Sequence, residues 1–132
     1  MTRIPVEVTV ASEFRYMNPI VDDKTLTVVI SQSGETADTI AAMREAKRLG
    51  SRTFAIVNAV GSAIAREADD VLYTWAGPEI SVATTKAYST QVTAIYLLSL
   101  YIAQELNMID DETLKTKIDA LEKLPENIQK IL

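Results

Sequence analysis

Ser31, Gln32, Ser33 and Thr36 gather four neutral hydrogen-bonding side chains around Gly34. They lie in the run VVISQSGETADT, residues 28–39, where an apolar stretch empties into hydroxyls, an amide, one glycine and two acids. A strand that ends in a polar turn and re-enters as a helix is where open α/β sheets place ligands. The first turn of such a helix offers free N–H groups and a partial positive charge, and both attract anions. Gly34 lets the backbone come close to a ligand. No Lys or Arg lies in the turn, so neutral donors would hold a phosphate carried by a small metabolite. The G-x-x-x-x-G-K-[ST] and G-x-G-x-x-G patterns are absent, which removes support for a nucleoside triphosphate or dinucleotide. The bland alternative is that Ser33 or Thr36 only caps the helix, with Glu35 or Asp38 aiding its dipole.

A second constellation repeats the arrangement. GPEISVATTKAYSTQ, residues 77–91, follows a strand with a loop of small residues, the hydroxyls of Thr84 and Thr85, and a helix. In a parallel sheet both strand ends open on one edge, so the two loops can line one crevice. Lys86 either faces that crevice or is a solvated helix residue. Glu79 either accepts sugar hydroxyls or caps the amides of its own loop. The chain has no histidine and no cysteine, which removes the commonest general base, the commonest metal ligand and thiolate chemistry. No residue can be named as a catalytic base, and no metal site is expected.

The elements that must position these residues alternate. VEVTVA (6–11) has the period-two pattern of a half-buried strand. A turn-rich connector limited by Pro19 follows, with room for a short helix. LTVVIS (26–31) is nearly continuously apolar, as strands covered on both faces are. Helix signals run from Thr36 to Leu49, with acids at the start, Lys47 and Arg48 in the last turn and Gly50 beyond. RTFAIVNA (52–59) and DVLYTWAG (70–77) read as further strands, separated by the short helical stretch GSAIAREAD. A long helix spans about Thr84 to Leu106. An amphipathic one then carries Leu114, Ile118, Leu121 and Leu124, with an interruption at Pro125. This alternation predicts an α/β fold, a doubly wound parallel sheet with helices on both faces.

Composition narrows the partners. The net charge of −5 argues against nucleic acid, which needs a basic face. VTAIYLLSLYIA (92–103) is shorter than the ~20 residues of a membrane span and reads as a buried central helix. MTRIPVEVTV shows no signal peptide, which points to the cytoplasm.

SQSGETADT (31–39) resembles the signature of the sugar isomerase (SIS) domain. With ASEFRY (11–16), EISVATTKAYSTQ (79–91) and the apolar helix behind it, residues 6–132 resemble the isomerase part of the glucosamine-6-phosphate synthases, the isomerising glutamine–fructose-6-phosphate aminotransferases. The resemblance implies a flavodoxin-like SIS fold that binds a hexose phosphate, fructose 6-phosphate or glucosamine 6-phosphate, with no cofactor. It assigns the phosphate to Ser31, Gln32, Ser33 and Thr36, the sugar's border to Val82, Ala83 and Thr84, and loop support to Gly34 and Glu79. Ser81 stands where most members carry glycine, which bears on the loop's fine geometry and not on its location.

It further implies one N-terminally truncated SIS domain over 1–132, with about 108–132 a helical extension towards a second SIS domain outside the chain. The family's catalytic glutamate, lysines, partner-subunit histidine and glutaminase cysteine would also lie outside. The chain alone is therefore expected to bind weakly and to be inactive. Two other classes stand beside this reading: the sugar-phosphate sensor of a regulator, for which no DNA-binding helix-turn-helix is visible, and a dimerisation module. The family's strand order resembles 2-1-3-4-5, and the absent strand is the central first one. Its absence would leave a gap of about 10 Å between VEVTVA and LTVVI. Either residues 6–10 pair directly with 26–30 or another copy fills the gap in a homodimer. Val6, Val8 and Val10 are expected to be buried in both cases.

Overall fold

The computed structural model describes residues 2–81 and 84–131. By internal contacts the chain divides into two units, Val6–Ala94 and, together, Met1–Pro5 with Ile95–Leu132. The first holds α1 (Ala11–Phe14), β1 (Leu26–Ser31), α2 (Ala37–Arg48), β2 (Arg52–Val57), α3 (Ala63–Glu67), β3 (Asp70–Tyr73) and the start of α4 (Thr85–Glu105). The strands form an open parallel sheet in the order β1-β2-β3. Ser31 is in register with Val57, and Val57 with Tyr73, so the three strands end on one edge.

Alternation within the strands builds the core. Val29, Ala55 and Val57 share one face and pack with Met43 of α2 and Ile64 of α3. The C-terminus of α2 closes as its sequence signals: Gly50, at φ +96°, donates to the Lys47 carbonyl and Ser51 to that of Ala46. This is the paired bonding of a Schellman motif, which needs a left-handed residue after the helix. Exposed ion pairs join α2 to the end of α3 and the residue before β3, Arg44 to Glu67 and Lys47 to Asp69. At the surface such pairs contribute little.

Three sequence expectations change. Residues 6–11 form no strand: Val6, Val8 and Val10 are 68–88% exposed, and the Val10 carbonyl instead receives the N–H groups of Glu13 and Phe14 in α1. A period-two pattern fixes a face but supplies no ladder partner, and an unpaired extended segment is marginal in water. Second, β1 is covered on one face only. Val29 is buried, whereas Val28 and Ile30 remain 37% and 40% exposed. Third, the long helix is not buried all round. Ala87, Ala94, Leu100 and Ala103 are buried along α4, but Val92, Ile95, Leu97 and Tyr101 are exposed. Among the described residues no helix is long and apolar enough to cross a membrane.

The second unit contains α5 (Asp111–Glu122) and α6 (Leu124–Gln129). Asp110 caps α5 by accepting the Thr113 N–H at 2.6 Å. Pro125 sits in the first turn of α6, where its missing N–H is harmless.

The start of β2 is tied to the residue before β3 by one carboxylate. Asp69 accepts the buried Thr53 N–H at 2.8 Å, the Thr53 hydroxyl at 2.7 Å and the Lys47 ammonium at 2.8 Å. Lys47 first, then the Thr53 hydroxyl and amide, hold this carboxyl well below the usual carboxylate range. A depressed carboxylate adds stability above its unfolded pKa of about 4, and that stability is lost as pH falls towards the folded value. Asp69→Ala is expected to lower the unfolding free energy at neutral pH by about 1–3 kcal/mol, because the buried Thr53 amide is stranded. Urea titrations at several pH values check this. The gap from the parent should be full at pH 7 and shrink once pH falls below about 4; a gap independent of pH would contradict it.

Candidate functional site

The turn after β1 is held mainly from behind. Ser31, buried at the strand's last position, accepts the Gly34 N–H on its Oγ at 3.0 Å. The same Oγ lies 3.2 Å from Thr36 Oγ1. The Gln32 carbonyl receives the N–H groups of Asn58 and Ala59, at 3.2 and 3.3 Å, from the turn after β2. The Gly34 carbonyl accepts the Ile64 N–H at 3.0 Å, and the Glu35 carboxylate accepts that of Ala63 at 2.7 Å. Glu35 thereby caps α3, whose own N-cap residue, Ser62, makes no capping bond.

Gly34 has no alternative residue here. Its φ is +65°, and a Cβ at this position would collide with Ser62 Oγ and lie 2.5 Å from Ser62 Cβ. That Oγ is buried with no hydrogen-bond partner among the described residues.

Thr36 is the N-cap of α2 by backbone conformation, yet its side chain makes no capping bond to the helix. Among the described residues, Ser33 Oγ accepts only the local Glu35 N–H, at 3.2 Å. Neither hydroxyl is used as the simple cap that the sequence also allowed. Ser31, Gln32, Ser33 and Thr36 lie on the one turn that leads into a helix of 12 residues, whose N-cap side chain makes no capping bond. Uncapped first-turn amides and the helix dipole favour an anion at this place.

The second loop ends on the same edge of the sheet, after β3. Glu79 supports the loop itself: its carboxylate accepts the N–H of Ser81 at 3.2 Å and that of Ala87, in α4, at 3.4 Å. Thr84 has a left-handed φ of +55° just before α4. Val82 and Ala83 lie outside the described residues. Lys86 is exposed on the first turn of α4. Asn58, Ser62 and the capping role of Glu35 escaped the sequence reading. Their signals were weak: an Asn directly after a strand, and a five-residue helix without a cap of its own.

An open parallel sheet with a donor-rich turn before a helix without a side-chain cap defines an α/β domain with a candidate anion site at its strand ends. The model of the SIS domain matches residues 1–101, and the chain belongs to that family. Over all 132 residues it is 59% identical to a glutamine–fructose-6-phosphate aminotransferase (isomerizing) of Clostridium tetani, covering 22% of that protein. A protein of the same description from Caldanaerobacter subterraneus subsp. tengcongensis is 62% identical over 130 residues, 98% of this chain and 21% of the relative. Among solved structures, the C-terminal domain of glucosamine-fructose-6-phosphate aminotransferase from Francisella tularensis is 39% identical with a TM-score of 0.88, over 92% of this chain and 35% of that one. The chain thus spans about a fifth of the length of these curated relatives.

The Gly34–Ser62 contact can be tested by a double-mutant cycle. Gly34→Ala should destabilise the chain by more than about 1 kcal/mol, combining the collision with the left-handed φ. Adding Ser62→Gly should restore the steric part and leave the φ part. Thermal unfolding of the four variants checks this; strictly additive effects would show that the two residues are not in contact.

Proposed function

We propose that this chain is the phosphate-gripping part of an isomerising glutamine–fructose-6-phosphate aminotransferase. In this reading it binds a hexose 6-phosphate through Ser31, Gln32, Ser33 and Thr36. The observation that carries the proposal is the uncapped start of α2, where the Thr36 hydroxyl pairs with Ser31 instead of with the helix amides. The descriptions of the relatives from Clostridium tetani and Caldanaerobacter subterraneus support the choice of substrate.

The phosphate would accept hydrogen bonds from the hydroxyls, the Gln32 amide and first-turn N–H groups, with the α2 dipole favouring its charge. Val82, Ala83 and Thr84 would border the sugar. Glu79 shapes that loop and is not a ligand in this reading. No group of this chain is assigned to proton transfer, so the proposal includes binding without turnover by the chain alone. It also includes a cytoplasmic setting and a homodimer. The unpaired outer edge of β1 and the exposed Val6, Val8 and Val10 support self-association, which the mass in solution checks.

Calorimetric titration tests the ligand. Fructose 6-phosphate should bind in the millimolar range, about 4 kcal/mol, and fructose without its phosphate should not bind detectably. Gln32→Ala with Ser33→Ala should weaken binding about tenfold, since each neutral hydrogen bond contributes about 0.5–1.5 kcal/mol. Equal binding of fructose and its phosphate would overturn the proposal.

A further inference from the structure

Asn58 follows β2 directly and joins two loops that are far apart in sequence. Its backbone N–H donates to the Gln32 carbonyl of the first turn, at 3.2 Å. Its side chain holds the turn after β3. Oδ1 accepts the Thr74 hydroxyl at 3.1 Å and the Ala76 N–H at 2.8 Å, and Nδ2 donates to the Gly77 carbonyl at 2.7 Å. Two donors meet the oxygen and one carbonyl meets the nitrogen, so only this orientation of the amide satisfies all three partners.

The clamp encloses an unusual residue. Trp75 has a φ of +53°, and its ring is 5.7 Å from that of Tyr73 while the residue is 75% exposed. A bulky residue seldom adopts this left-handed conformation unless its surroundings impose it. The bonds from Asn58 to residues 74, 76 and 77 bracket Trp75 on both sides. They thereby set the direction in which the chain leaves β3 towards Gly77 (φ +71°), Glu79 and Thr84.

We propose that Asn58 is a positioning residue: it fixes the loop that borders the sugar against the turn that grips the phosphate. It touches no ligand itself. A hexose 6-phosphate needs both loops at a set separation, whereas inorganic phosphate needs only the first turn. The inference rests on the ligand reading proposed above.

The test is a titration of the full chain and of Asn58→Ala with two probes, inorganic phosphate and fructose 6-phosphate. Trp75, the one tryptophan of the chain, provides a fluorescence readout of the clamped turn. Asn58→Ala should weaken fructose 6-phosphate about tenfold while phosphate affinity changes by less than about twofold. Its indole emission should also change. Asn58→Asp retains the acceptor for Thr74 and Ala76 but loses the donor to Gly77. It should show the same split with a smaller loss, and it serves as the variant of record should Asn58→Ala not fold. Equal losses for both probes, or no loss for either, would overturn the role of Asn58 alone. A parent chain that binds neither probe would overturn the ligand reading, and this inference with it.

Discussion

Gly34 passes Ser62 so closely that no side chain fits between them, and the shape of the β1–α2 turn follows from that approach. The left-handed φ at Gly34 places its N–H on Ser31 Oγ and its carbonyl on the Ile64 amide. Glu35, the next residue, then reaches the first amide of α3. A five-residue helix without its own cap is thus anchored on the turn, and the turn on it. Because these bonds fix the turn from behind, Thr36 is not required to cap α2. The hydroxyls stay grouped in front of a helix start that still has amides to offer.

In the proposed reading, the lack of Lys and Arg in this turn sets what kind of anion it would take. A triphosphate site combines backbone donors with a lysine. Here the donors are neutral, and Glu35 and Asp38 stand close by in sequence, with the Glu35 carboxylate turned to the Ala63 amide. In the proposed reading such a turn would hold a single phosphate in moderate affinity and share selectivity with the second loop. The Asn58 bonds link the two loops along one edge of the sheet.

The helices and the three sheet strands were legible because their signals are local. Asp38, Lys47, Arg48 and Gly50 mark α2, and the apolar run of β1 ends in the hydroxyls that open the site. VEVTVA misled for a physical reason. Its alternation states which side chains would share a face, whereas a strand exists only if another backbone is there to pair with it. The face of β1 carrying Val28 and Ile30 misled in the same way, since an apolar run cannot say whether a second layer covers it. In the candidate site, Ser31, Gln32, Ser33 and Thr36 are legible as one group because they fall on a single short run. Asn58 and Ser62 are not. Their roles come from β2 lying beside β1 and β3, a long-range fact carried by no short motif. For Glu79 the sequence allows both a sugar ligand and loop support, and its bonds to Ser81 and Ala87 are those of loop support.

The central claim is that an anion binds on the uncapped start of α2, and amide-resolved NMR tests it most directly. With inorganic phosphate added, the largest shifts should fall on the N–H groups of Ser33 and of residues 36–39, with smaller ones at Asn58 and Ala59 through the Gln32 carbonyl. The exposed basic residues Arg44, Arg48 and Lys86 should be unmoved. Shifts confined to those cations, with the 33–39 amides unchanged at saturating phosphate, would contradict the account.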